Sequence, residues 1–280
     1  MQKQKEFEFT RHDFDRVRRL IHRCAGIALA EGKQEMVYSR LARRLRATGA
    51  ASFERYLDQL ERTDTGGEWQ AFTNALTTNL TSFFRESHHF PVLAAHAHNR
   101  SAMSVWCSAS STGEEPYSIA ITLCEAYGSL SPPVRILATD IDTEVLATAE
   151  AGIYSVERMS GLSKQQLSRF FLRGKGAQEG KMRVRDELRQ LIEFRPLNLL
   201  GHDWKLQHGL DAIFCRNVMI YFDKDTQRKV LSRFVPLMKP DALLFAGHSE
   251  NFLYVCDSLR LKGKTVYELS KQAMKLPGRP

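Results

Sequence analysis

Two adjacent carboxylates, Glu114 and Glu115, stand in the stretch "SSTGEEPYS" (110–118), between Gly113 and Pro116. The stretch reads as a loop leading from a strand into a helix, the place where an α/β protein commonly cradles phosphate. A pyrophosphate suits it poorly. The loop has one glycine rather than G-x-G-x-x-G, and paired acids repel phosphate at short range. Asp140 closes the apolar run "VRILATD", where a strand-end carboxylate can hold ribose hydroxyls. A third strand end, "CRN" at 215–217, brings Arg216 and Asn217. A nucleoside carrying positive charge satisfies this set, and S-adenosylmethionine, with a ribose diol, an ammonium and a sulfonium, is such a nucleoside. Each residue also has a plainer use: acids in a helix's first turn offset its dipole, and Asp142 can cap the next helix.

Other chemistry-bearing residues lead elsewhere. His88, His89, His96 and His98 crowd a short stretch but match no common zinc spacing, so no metal is expected. The five cysteines form no CxxC pair and read as small buried apolar groups in a reducing compartment. "GHSEN" shares the opening of the nucleophile elbow, but Asn251 replaces its final glycine, which argues against a serine hydrolase.

The elements that must position these groups fall into two parts. The chain has 280 residues, 43% hydrophobic and 26% charged, with a net charge of +8. Residues 1–62 hold 14 Lys and Arg against 9 Asp and Glu, which implies an acidic partner surface. Helical periodicity governs this part. Thr10 and Asp13 form an N-cap pair, Gly49 closes a helix over 33–47, Ser52 caps "FERYLDQLER", and after a turn in "TDTGG" a fourth helix covers "EWQAFTNALTTNL". Strand-like runs begin at 103 and alternate with helices, predicting a mostly parallel sheet with right-handed crossovers. "LDAIFCRNVMIYF" reads as a buried strand, "DTQRKVLSRFVPLM" as a helix and "ALLFAGHSE" as a late strand. Residues 153–197 break the rhythm and read as a small, charged antiparallel β insert. The division expected is 1–76 a basic all-helical domain, 77–100 a linker carrying cofactor contacts, and 101–280 a Rossmann-like α/β domain. The tail "KLPGRP" is expected to be frayed. No run reaches the roughly 18 apolar residues of a membrane span. The N-terminus lacks a secretory core, so a soluble, cytoplasmic protein is expected.

The runs "TNLTSFFRESHHFP" (78–91), "STGEEPYSIA" (111–120), "TDIDTEVL" (139–146), "FCRNVMIYF" (214–222) and "FAGHSENF" (245–252) closely resemble the chemotaxis receptor methyltransferases, the CheR family. The resemblance covers essentially the whole chain. It implies a helical domain joined to a class I methyltransferase domain with a β insert. The activity it implies is methyl transfer from S-adenosylmethionine to glutamate side chains of membrane chemoreceptors, yielding S-adenosylhomocysteine. By the same resemblance the cofactor contacts fall on Asn79, Thr81, Arg85, Glu115 (with Glu114 as the neighbouring alternative), Asp140, Asn198, Leu199, Arg216 and Asn217.

Methylating a carboxylate needs no general base, because glutamate is already an anion at neutral pH. It needs approach geometry and a partly dry pocket. Arg85, by resemblance, and Tyr221, because it follows the "RN" strand end, are the candidates for orienting the acceptor. Arg85 could equally hold the cofactor's carboxylate, and Tyr221 could be a packed aromatic. Phe83 and Phe84 read as core plugs rather than adenine stackers. The stripe Lys33, Arg40 and Arg44, with Arg43 beside it, is expected to face an acidic helical region of a receptor. The insert could hold a receptor's C-terminal peptide by strand addition. A monomer is expected, without nucleic acid or membrane insertion. Two alternatives remain at this point: an RNA methyltransferase, encouraged by a pI of about 9.3, and a non-catalytic cofactor- or receptor-binding adaptor.

Overall fold

A computed structural model describes residues 5–62 and 67–275. The turn read in "TDTGG" and the frayed tail read in "KLPGRP" therefore lie outside the described residues, except for Gly67 and Lys275.

The N-terminal part is helical, as its periodicity requires. Helix α1 (Arg11–Ala25) opens with a capping box: the Thr10 hydroxyl accepts from the Asp13 amide, and the Asp13 carboxylate accepts from the Thr10 amide. Helix α2 (Gln34–Thr48) ends at Gly49, whose φ of 70° is the left-handed C-cap that glycine adopts without penalty. Helices α3 (Phe53–Arg62) and α4 (Gly67–Leu76) complete the unit. Phe14, Val17, Ile21, Val37, Leu41, Phe53, Leu57 and Phe72 share one core. Helix α4 is shorter than the sequence suggests. It stops at Leu76, and "TTNL" runs on as irregular chain toward the second domain. Helix α5 (His89–Ala97) follows.

The second domain alternates β1 (Met103–Cys107), α6 (Glu114–Ala126), β2 (Val134–Asp140) and α7 (Thr143–Ala151). Next come β3 (Ile153–Ser155), α8 (Lys164–Phe170), β4 (Phe171–Arg173), β5 (Lys181–Val184) and α9 (Asp186–Arg189). The chain continues through β6 (Ile192–Pro196), β7 (Leu210–Cys215), α10 (Lys224–Phe234), β8 (Met238–Ala246), β9 (Leu259–Gly263) and β10 (Val266–Leu269). Among the described residues the main sheet has the order β6-β2-β1-β7-β8-β10-β9. It is parallel from β6 to β8 and antiparallel at the β10 and β9 edge. β1 is central and covered on both faces. Val105 and Cys107 point into one core, Trp106 into the other, as a buried parallel strand requires.

Two further readings need correction. The insert is a three-stranded antiparallel sheet, order β3-β5-β4, but it does not extend to 197. Residues 192–196 form β6, which pairs in parallel with β2, Ile136 against Ile192, and belongs to the main sheet. An edge strand this polar, "IEFRP", carries little apolar signal. The strand read through "LDAIFCRNVMIYF" ends at Cys215; Met219–Tyr221 is a 3-10 turn. The β9–β10 hairpin escapes the sequence reading because its strands are only five and four residues long.

Candidate active site

The carboxyl ends of β1, β2 and β7 open into a cleft of about 530 Å³, roofed by the helical domain and the linker. That size suits a nucleoside-scale ligand. The roof is tied down at specific points. Ala28 N–H donates to the Tyr221 carbonyl (2.8 Å), and Asn198 Nδ2 donates to the Cys24 carbonyl (2.6 Å). Asp142 does two jobs. One oxygen caps α7 through the Glu144 and Val145 amides, and the other accepts from Thr77 Oγ1 (2.7 Å) and Asn79 Nδ2 (2.8 Å).

The acidic loop folds against the end of β2. Ser111 N–H donates to Asp140 Oδ2 (2.8 Å), and Asp142 N–H donates to Oδ1 (3.0 Å). Burial pushes the Asp140 carboxyl up to about 6 even though these amides pull it down. Gly113 has φ of 100°, and a Cβ there would sit 2.6 Å from the Tyr154 hydroxyl and 2.8 Å from Ala149 Cβ. Only glycine fits this turn. The two loop acids then part. Glu115 lines the cleft, whereas Glu114 turns away to Arg158 and accepts from Thr112 Oγ1 (2.7 Å).

Glu115 is bonded by Arg216 Nη1 (2.5 Å) and by the Cys107 thiol (3.3 Å). Burial raises its pKa, and the Arg216 charge holds it back. Arg216, almost fully buried, also donates to the Arg85 carbonyl and lies 3.4 Å from Glu86. Burial alone would raise the pKa of Glu86, yet bonds from His248 and Asn217 and the charge of Arg216 hold it down at about 2. One guanidinium therefore faces two carboxylates, of which Glu115 lines the cleft.

Four non-glycine residues around the cleft adopt positive φ: Phe84 (53°), Glu86 (52°), Ser111 (48°) and Asn217 (57°). Such residues cost on the order of 1–3 kcal/mol each and collect where a site over-determines its backbone. Phe84 and Glu86 flank Arg85, whose Nη1 donates to the Leu80 carbonyl (2.8 Å).

Of the residues singled out from sequence, Asn79, Thr81, Arg85, Glu115, Asp140, Asn198, Leu199, Arg216, Asn217 and Tyr221 all line this one cleft, as do Lys33 and Arg40. The Asn198 side chain is committed to the Cys24 carbonyl and the Leu200 amide (2.9 Å), and its own carbonyl accepts from Gly201 N–H (2.9 Å). The basic stripe divides. Arg40 bonds the Thr77 carbonyl (2.5 Å) and Arg44 grips Glu68 (2.5 and 3.1 Å), whereas Lys33 and Arg43 are exposed. Phe83 is buried edge-on against Tyr154 and Phe171, and Phe84 packs on Phe90, so both plug the core. Glu86, His88 and His89 approach within 4.8 Å of one another, but Glu86 is already held by Arg216, Asn217 and His248. Sequence reasoning missed Glu86 and Glu250. Glu86 follows Arg85 directly and Glu250 lies inside "GHSEN", but neither stands at a spacing that marks a site.

The donor set fits S-adenosylmethionine. Asp140 suits a ribose diol, Glu115 an ammonium, and Arg85 a carboxylate. The main chain at Ser108 and Ala109 borders the same space. Comparison with known proteins agrees. Residues 12–77 match the family described as "CheR methyltransferase, all-alpha domain", and residues 79–267 match "CheR methyltransferase, SAM binding domain". The "Chemotaxis protein methyltransferase" of Escherichia coli (strain K12) is 56% identical over 92% of this chain and 91% of its own. That of Salmonella typhimurium is 57% identical over 92% and 90%. The "Chemotaxis protein methyltransferase 2" of Pseudomonas aeruginosa is 55% identical over 94% of each. With both domains matched in order and the site residues gathered in one cleft, the chain belongs to the CheR methyltransferase family and takes S-adenosylmethionine as its cofactor.

Proposed function

We propose that this protein methylates glutamate side chains of chemoreceptors in the cytoplasm, giving glutamate methyl esters. The observation that carries the reading is the cleft wall that brings Glu115 and Arg216 together with Tyr221 and Arg85 and has no histidine among its described lining residues. A carboxylate acceptor needs no proton removed, so such a wall is sufficient. S-Adenosylmethionine supplies an electrophilic methyl on a cationic sulfur. A carboxylate oxygen of the acceptor forms the new C–O bond as the C–S bond breaks, and the electron pair stays on sulfur.

The chain's own residues do the rest. Asp140 and Glu115 hold the polar ends of the cofactor. Arg85 holds a carboxylate, the cofactor's or the acceptor's. The Tyr221 hydroxyl orients one acceptor oxygen and leaves the other free. The relatives' names support chemoreceptor adaptation as the setting. Lys33 and Arg43, both exposed, suit an acidic receptor helix, and the β insert suits a receptor C-terminal peptide. Among the described residues no helix is long and apolar enough to cross a membrane.

Incubation of receptor cytoplasmic fragments with radiolabelled S-adenosylmethionine tests the reading. Base-labile label on the receptor is the expected result. Label on RNA, or retained cofactor binding without label, contradicts it.

A further inference from the structure

Glu250 stands in the "GHSEN" segment that neither the cofactor nor the acceptor chemistry absorbs. Its carboxylate is 4% exposed and has no side-chain cation among its bonded partners. It accepts three backbone N–H groups instead. Oε2 takes Asn217 N (3.0 Å) and Gly247 N, and Oε1 takes Met219 N (2.8 Å). These amides belong to two different strand ends, those after β7 and after β8. Asn217 sits at φ 57°, and Met219 opens the 3-10 turn Met219–Tyr221. Gly247 leaves room for this arrangement, since a Cβ there would lie 2.4 Å from Asn217 Nδ2.

We infer that Glu250 is a positioning residue for methyl transfer, holding Asn217 against the cofactor through one oxygen and the Tyr221 turn against the acceptor through the other. Breaking a buried carboxylate's bonds to amides strands both partners in a low-dielectric site, so the turn moves rather than merely loosening. The inference rests on the proposed roles of Asn217 and Tyr221.

The division of labour between the two oxygens makes it testable. Glutamine has one carbonyl oxygen. Placed at Oε2 it keeps Asn217 and Gly247, and its amide then faces the Met219 N–H, donor against donor. E250Q should keep S-adenosylhomocysteine affinity within about threefold of wild type by calorimetry, while kcat on a receptor fragment falls about 100-fold, the scale of a misplaced catalytic group. E250A frees all three amides and should weaken S-adenosylhomocysteine binding about tenfold or more as well. The losses of E250Q and Y221F should not multiply in the double variant, because both act through one hydroxyl. A kcat for E250Q within about twofold of wild type, or fully multiplicative losses, overturns the inference. Should E250Q fail to fold, hydrogen exchange on the wild-type protein decides: a slowly exchanging Met219 amide supports it, and a freely exchanging one overturns it. Wild-type protein inactive on receptor glutamates would count against the proposed function alone. The contrast in S-adenosylhomocysteine affinity between E250Q and E250A would then decide the inference, and equal affinities would overturn it.

Discussion

Burial lifts the Asp140 carboxyl to about 6, and that sets a pH signature on the cofactor site. Ribose hydroxyls donate to the ionised form, so protonation competes with binding. S-Adenosylhomocysteine affinity should be level above pH 7 and fall below about 6, approaching tenfold per pH unit for one coupled proton. For the unliganded fold the sign is opposite. The raised pKa contributes stability that is present below about 4 and lost as pH rises through about 6. The cofactor-induced rise in Tm should therefore shrink on acidification, and D140N should weaken binding and remove its step near pH 6. A binding curve flat from pH 5 to 8 contradicts this role. Arg216 is a second residue-scale test. Arg216→Ala leaves Glu115 and Glu86 facing each other in a buried wall, and should cost about 3–5 kcal/mol in denaturant unfolding as well as cofactor binding.

At the scale of elements, the basic side chains on and just before helix α2 contribute differently. Arg40 bonds the Thr77 carbonyl beneath the linker and Arg44 bonds Glu68 of α4, so replacing them disturbs the fold and the cleft together. Lys33 is exposed but borders the cofactor cleft, so Arg43, exposed and outside the cleft lining, makes the cleaner docking test. R43E should lower kcat/KM on a receptor fragment severalfold, more at low salt, with S-adenosylhomocysteine affinity unchanged. Equal turnover at low salt would remove α2 from the docking surface. The acidic-loop turn is tested by G113A. A Cβ at φ 100° driven into Tyr154 and Ala149 should lower Tm by several degrees and weaken cofactor binding, and an unchanged Tm would show that the turn relaxes.

For the whole molecule, much of the architecture was legible because its signals are local. The Thr10–Asp13 capping box, the Gly49 stop, the Asp142 cap and the β1-α6-β2-α7 alternation each follow from residues within one turn or one strand. β6 and β9 were not legible, since edge strands with polar faces show little of the apolar run that marks a buried one, and β10 is too short, at four residues, to show a period. The ten cofactor and acceptor candidates converge on one cleft. What sequence could not give was partnership across the chain. Glu86 with Arg216, and Glu250 with the Asn217 and Met219 amides, join residues far apart in sequence, and only the closed fold brings them together.

The central claim is that a carboxylate oxygen is the atom this cleft methylates. It is tested most directly by digesting a receptor fragment after turnover and locating the added methyl group by mass spectrometry. The account predicts the methyl on glutamate, released as methanol by mild base and absent when that glutamate is replaced by alanine. A methyl on nitrogen or sulfur that survives base, with no modified glutamate, contradicts it.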